Sequence, residues 1–98
     1  MNTRHYEMDR QERENFIKRF IGYGNIIATT TWDSHHPAGL ETHTISDTGI
    51  ITVYNKRTGK LVTKLIARPN QLKRYGLTLP ASVYAIARQH QQLGYNEI

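Results

Sequence analysis

A chain of 98 residues without cysteine, 38% hydrophobic and carrying a formal net charge of +5, has room for one domain with one ordinary core. It has no disulfides, thiolate metal sites or cysteine nucleophiles. No apolar run approaches the length of a membrane span, and the opening MNTRHYEMDRQEREN is polar and acidic where a secretory signal is basic and then apolar. The expectation is a single domain over 1–98, with 1–8 mobile, in a reducing cytoplasm.

Asp9 followed by Glu12 resembles a capping box. Phe16, Ile17, Phe20 and Ile21 then form one apolar stripe, with Gly22 and Gly24 available to end it, which predicts a helix over 10–23. Residues 26–32, rich in β-branched side chains, read as a first strand, and 33–39, with two histidines, a proline and a glycine, as a loop. Alternation predicts a second strand over 40–45, and Ser46-Asp47-Thr48-Gly49 supplies the turn into a third over 50–54. A similar polar turn closing on Gly59 leads into a fourth strand over 60–67. Three strands joined by short turns make an antiparallel meander, to which the first strand adds. Pro69 ends the fourth strand, 70–75 reads as a short helix, and 81–93 as a longer one with Val83, Ile86, Ala87, His90 and Leu93 near one face. The fold class is α+β: a leading helix, a four-stranded antiparallel sheet, then one short and one longer helix.

Charge is unevenly spread. From Lys56 onward eight Lys and Arg stand against the single Glu97, whereas the first 55 residues hold five against seven Asp and Glu. The uninterrupted basic segment contains Lys56, Arg57, Lys60, Lys64, Arg68, Lys73 and Arg74, and among them sit Tyr54, Asn55, Thr58, Asn70, Gln71 and Tyr75. Cations interleaved with flat rings and amides suit phosphates, sugar edges and bases. Tyr54, Lys56, Arg57, Lys60, Lys64, Arg68, Lys73, Arg74 and Tyr75 are therefore the candidate nucleic-acid contacts, RNA before DNA.

Period two divides the fourth strand into Leu61, Thr63, Leu65 and Ala67 on a core face and Lys60, Val62, Lys64, Ile66 and Arg68 on an expected wet, cationic face. Glu41 and His43 share one face of the second strand. Whether that is the face of Lys64 and Arg68 depends on register, which a one-residue slip reverses. If it is, the group suits RNA cleavage by the 2′-hydroxyl: His43 or Glu41 as base, His43 as acid, and Arg68 with Lys64 beside the developing phosphorane.

The order of a leading helix and a basic four-stranded meander resembles the small ribonuclease architecture of RelE-type toxins, barnase-like nucleases and colicin-type tRNA-cleaving domains. That resemblance implies a metal-independent endoribonuclease. The stretches Thr48-Gly49-Ile50-Ile51, Tyr54-Asn55, Thr58-Gly59-Lys60-Leu61-Val62-Thr63 and Ile66-Ala67-Arg68-Pro69 also look like small proteins from prophages and mobile elements of Gram-positive bacteria.

Other constellations are weaker. His35, His36, Glu41 and His43 include metal-ligand types, but their spacing matches no established motif, so neither a metal nor another cofactor is expected. Gly59-Lys60 lacks the glycine spacing and following helix of a phosphate-binding loop. Trp32, the single tryptophan, reads as an anchor for the loop after it, with stacking on a base as the alternative, His90 as a partly buried, hydrogen-bonded residue, and His5 as part of the mobile start. The leading reading is a non-catalytic nucleic-acid-binding accessory protein using a basic sheet face. The alternatives are the ribonuclease and a module whose basic face meets an acidic protein. No membrane contact is expected. The sparsely charged edge at 26–32 suits a homodimer.

Overall fold

The computed structural model describes residues 10–35 and 39–97; the expected mobile start at 1–8, Asp9 of the expected capping box and His36 lie outside them. The elements are α1 (Arg10–Phe16), continued by a π-helical turn (Ile17–Ile21), β1 (Ile26–Asp33), β2 (Leu40–Ser46), β3 (Ile50–Asn55), β4 (Leu61–Ile66), α2 (Pro69–Lys73), α3 (Ala81–Gln92) and a 3₁₀ turn (Tyr95–Glu97). The four strands form one antiparallel sheet in the order β1-β2-β3-β4. This is the expected α+β meander.

The leading helix departs from its expected form. Its last turn widens, with the Gly22 amide donating to the carbonyl of Ile17 at 2.7 Å, so side chains beyond Phe16 fall out of the 3.6-residue phase. Ile17 is fully buried while Phe20 is 60% exposed, its ring beneath the Arg19 guanidinium. At the other end of the chain, Val83, Ala87 and His90 bury one face of α3, but Leu93 lies past the helix and is 57% exposed.

Both sheet faces are covered. Ile45, Ile51 and Val53 on one face pack with Ala67, Leu72, Leu79, Val83 and Ala87 from α2, α3 and their connections. On the other, Ile50 and Ile66 pack with Ile17, Phe16, Ile21, Tyr23 and Tyr95. The second cluster overturns the expected wet, cationic face. Lys64 lies beneath the leading helix, bonded to the Glu14 carboxylate and set over the Tyr23 ring. The hydrogen bond with Glu14 raises the Lys64 pKa, and the same bond lowers that of Glu14. Away from the helix this face carries Thr29, Thr31, Thr42, Thr44 and Thr52 in register.

The two sheet edges differ. Alternate carbonyls of an edge strand point outward, and on β4 all three find side-chain donors. Arg10 Nη1 donates to Val62 O at 2.7 Å, Arg13 Nη1 to Lys64 O at 3.0 Å, and Asn96 Nδ2 to Ile66 O at 2.9 Å. Among the described residues no side chain caps the β1 backbone in this way.

Gly24 joins the leading helix to β1 with φ of +66°, and a Cβ there would stand 2.1 Å from Asp47 Oδ1, the atom that accepts the Asn25 amide at 3.0 Å. Gly59, with φ of +75°, has nothing within 4 Å of the same position. Gly24→Ala is expected to cost about 1–3 kcal/mol and Gly59→Ala only the backbone part, about 1 kcal/mol. Urea unfolding of both variants checks this; equal losses would show that the Asp47 contact contributes nothing.

Candidate functional site

The site is built at the end of the sheet where β1 finishes and β2 begins. Trp32 pairs with Glu41 and Glu41 with Asn55, while His43, two residues further along β2, pairs with Thr30 and Val53. Period two therefore sets Trp32, Glu41 and His43 on one face. Over this face comes α2. Pro69 opens it with φ already suited to a helix, the Gln71 side chain accepts the Arg68 amide at 3.3 Å, and the fully buried Leu72 fastens it to the core. Gly76, with φ of 68°, reverses the chain after Tyr75, leaving Gln71, Arg74 and Tyr75 beside Trp32 and His43.

Tyr75, His43 and Glu41 form a hydrogen-bonded chain. Tyr75 Oη lies 2.7 Å from His43 Nδ1, and His43 Nε2 lies 2.9 Å from Glu41 Oε1. An ionised carboxylate only accepts, so Nε2 carries a proton, and in the neutral imidazole the phenol donates to Nδ1. The His43 side chain is 9% exposed and that of Glu41 19%. Burial, with the Glu41 charge adding to it, pushes the Tyr75 phenol up to about 12, which holds it as a donor. The His43 ring lies stacked with Trp32, centroids 5.9 Å apart, and edge-on to Tyr75 at 5.6 Å; Trp32 and Tyr75 meet edge-on at 5.4 Å. The three rings fix one another.

Trp32, His43, Gln71, Arg74 and Tyr75 line a cleft of about 120 Å³. Its walls are aromatic, with a guanidinium and a carboxamide at the side. The β3–β4 turn leaves from the same end of the sheet: the Lys56 amide donates to Leu40 O at 3.1 Å, and Lys56, Arg57 and Lys60 are exposed. A second cleft of about 130 Å³ is lined by Arg13, Leu65, Ile66, Arg68, Gln71 and Asn96. Gln71 belongs to both.

Register settles the question that alternation left open. His43 aligns with Val53 and Val53 with Thr63, whereas Lys64 aligns with Thr52. Glu41 and His43 thus occupy the face opposite Lys64, and Lys64 is engaged by Glu14. Arg68 follows β4, exposed beside the second cleft. The four expected catalytic residues do not converge. Of the expected nucleic-acid contacts, Arg74 and Tyr75 line the first cleft, and Lys56, Arg57, Lys60 and Lys73 are exposed. Tyr54 aligns with Thr42 on the far face and is half-buried.

The sequence reading set Trp32 at the end of the first strand as an anchor for the loop after it, with base stacking as the alternative; the structure pairs it with Glu41 and lays it against the His43 ring. Arg13 carried no signal, because it reaches Thr63 and Lys64 from a position about 50 residues away. Among the described residues no group of three His, Asp or Glu side chains is arranged to hold a metal ion. His90 is buried against the Tyr95 ring, and among the described residues its Nδ1 has no hydrogen-bond partner; burial lowers its pKa. Comparison with protein families, curated proteins and solved structures found no match.

The raised phenol gives a pH signature. Between the ordinary tyrosine value of 10 and about 12 the folded protein holds a proton that the unfolded chain releases, so stability falls as pH rises through this window. Absorbance titration of tyrosinate should show a component near 12 that is missing in Tyr75→Phe; an unchanged profile in that variant would sink the assignment.

Proposed function

We propose that the protein binds single-stranded nucleic acid, RNA in preference to DNA, as a non-catalytic accessory protein. The observation that carries this reading is the cleft in which Trp32 and Tyr75 supply aromatic walls beside Arg74 and Gln71, at the sheet end that also holds the Lys56–Lys60 turn. A base stacks on the rings, the carboxamide and guanidinium meet its edge or sugar, and the exposed cations follow the phosphates. The binding surface in this proposal is the sheet end with α2, in place of the basic sheet face. Cleavage is the second reading, favoured by the Glu41–His43–Tyr75 chain opening beside Arg74. Against it, both His43 nitrogens are engaged and Lys64 faces away.

Assembly is part of the proposal, because among the described residues no side chain caps the β1 edge. β1 pairs antiparallel with a second copy about a two-fold axis normal to the sheet, so both clefts open on the same side. The chain has no cysteine, and single cysteines at Thr29, Thr30 and Thr31 therefore read the contact directly. One of the three positions should give a disulfide-linked dimer under mild oxidation; monomer at all three removes the β1 edge from the proposal.

Trp32 is the single tryptophan and reports on its own cleft. Titration with a short single-stranded RNA at low salt should change its emission, and affinity should fall with salt at a logarithmic slope of about −0.7 per phosphate contacted. Replacing Arg74 by Gln should reduce that slope, and a Trp32→Ala variant, followed by anisotropy of labelled RNA, should bind about tenfold more weakly or worse. Absence of binding at low salt overturns the reading and turns the search to an acidic protein partner. RNA cut by wild type and left intact by His43→Ala would establish the enzyme instead.

A further inference from the structure

The second cleft holds two guanidinium groups, those of Arg13 and Arg68, for which no carboxylate partner occurs among the described residues. Arg13 is held in place: its Nη1 donates to Thr63 Oγ1 at 2.8 Å and to Lys64 O at 3.0 Å, leaving its other N–H groups to meet something else. Arg68 is exposed, and among the described residues its guanidinium makes a single long contact, 3.4 Å from Nη2 to Asn96 O, which lets it swing onto a ligand. Asn96 is oriented by Nδ2 donating to Ile66 O and Ala67 O, and among the described residues its buried Oδ1 has no donor at the same cleft. Two fixed or fixable cations around about 130 Å³, beside an acceptor that lacks a donor, fit a small, multiply charged oxyanion bearing or adjoining a hydroxyl group.

Gln71 lines this cleft and the aromatic one alike. A ligand that reaches both therefore has an anion at one end and a flat ring at the other. We propose that the Arg13–Arg68 cleft receives a terminal phosphate of the bound strand, whose end nucleotide places its base against Trp32 and Tyr75 with Gln71 between the two groups. This rests on the reading of the aromatic cleft as a nucleic-acid site. A terminal phosphate monoester carries close to two negative charges at neutral pH, against one for an internal phosphodiester, and so matches two guanidinium groups where an internal linkage leaves one unmatched.

The test uses the full chain and RNA oligomers of one sequence ending in a 5′-phosphate, a 3′-phosphate, or hydroxyl groups at both ends, titrated at one fixed salt concentration. One phosphorylated oligomer is expected to bind about tenfold or more tightly than the hydroxyl-ended strand. Arg68→Gln, a change at an exposed position, should bring it down to the affinity of the hydroxyl-ended strand. Arg13→Gln should do the same; because Arg13 also caps β4, its folding is checked by circular dichroism and Arg68→Gln alone suffices if it fails. Equal affinity of all three oligomers for the wild type, or an undiminished phosphate advantage in Arg68→Gln, overturns the terminal-phosphate site and leaves the aromatic cleft standing. Failure of every oligomer to bind overturns both.

Discussion

The antiparallel register of the sheet is the constraint on which the rest of this structure depends. With His43 opposite Val53 and Val53 opposite Thr63, period two assigns every strand residue to one of two faces, each with its own helical cover. A shift of one residue in β2 would place Ile45 in the threonine layer and carry Glu41 and His43 away from α2. The apolar residues resist such a slip: Ile45, Ile51 and Val53 on one face, and Ile50 and Ile66 on the other, are all buried. Core packing thus decides which polar groups meet at the sheet end.

Within that frame the Glu41–His43–Tyr75 chain resolves a local conflict. A histidine and a carboxylate at the margin of an apolar core need partners, and the chain gives the imidazole one at each nitrogen. The imidazole so held packs against the Trp32 and Tyr75 rings, which also meet each other edge-on. A cleft whose aromatic walls are already ordered loses less entropy when a flat ligand enters it. On the reading proposed above, a structural network and a recognition surface are the same group of atoms.

The side chains at β4 also serve two ends. Arg10, Arg13 and Asn96 satisfy its outward carbonyls and close that edge to further strands. By doing so they bring Arg13 alongside Arg68. One edge is closed by these side chains, while among the described residues no side chain caps the backbone of the other.

The sequence by itself determined the element order, the meander and the fold class, because turn residues and alternating apolar positions are local signals that neighbouring residues read together. It also located the cations, since charge is a property of composition, and it singled out Glu41, His43, Arg74 and Tyr75. Tertiary structure alone decided which of these meet. Lys64 looked like part of an open cationic surface until the leading helix brought Glu14 and Tyr23 over it, and Trp32 looked like a loop anchor until pairing with β2 set it beside His43. The π-helical turn that exposes Phe20 was equally hidden, because one extra residue in a turn leaves the apolar spacing intact. Periodicity specifies that a strand has two faces; only the long-range packing of helices on both sides, with partners as much as 52 residues apart in the chain, specifies what each face meets.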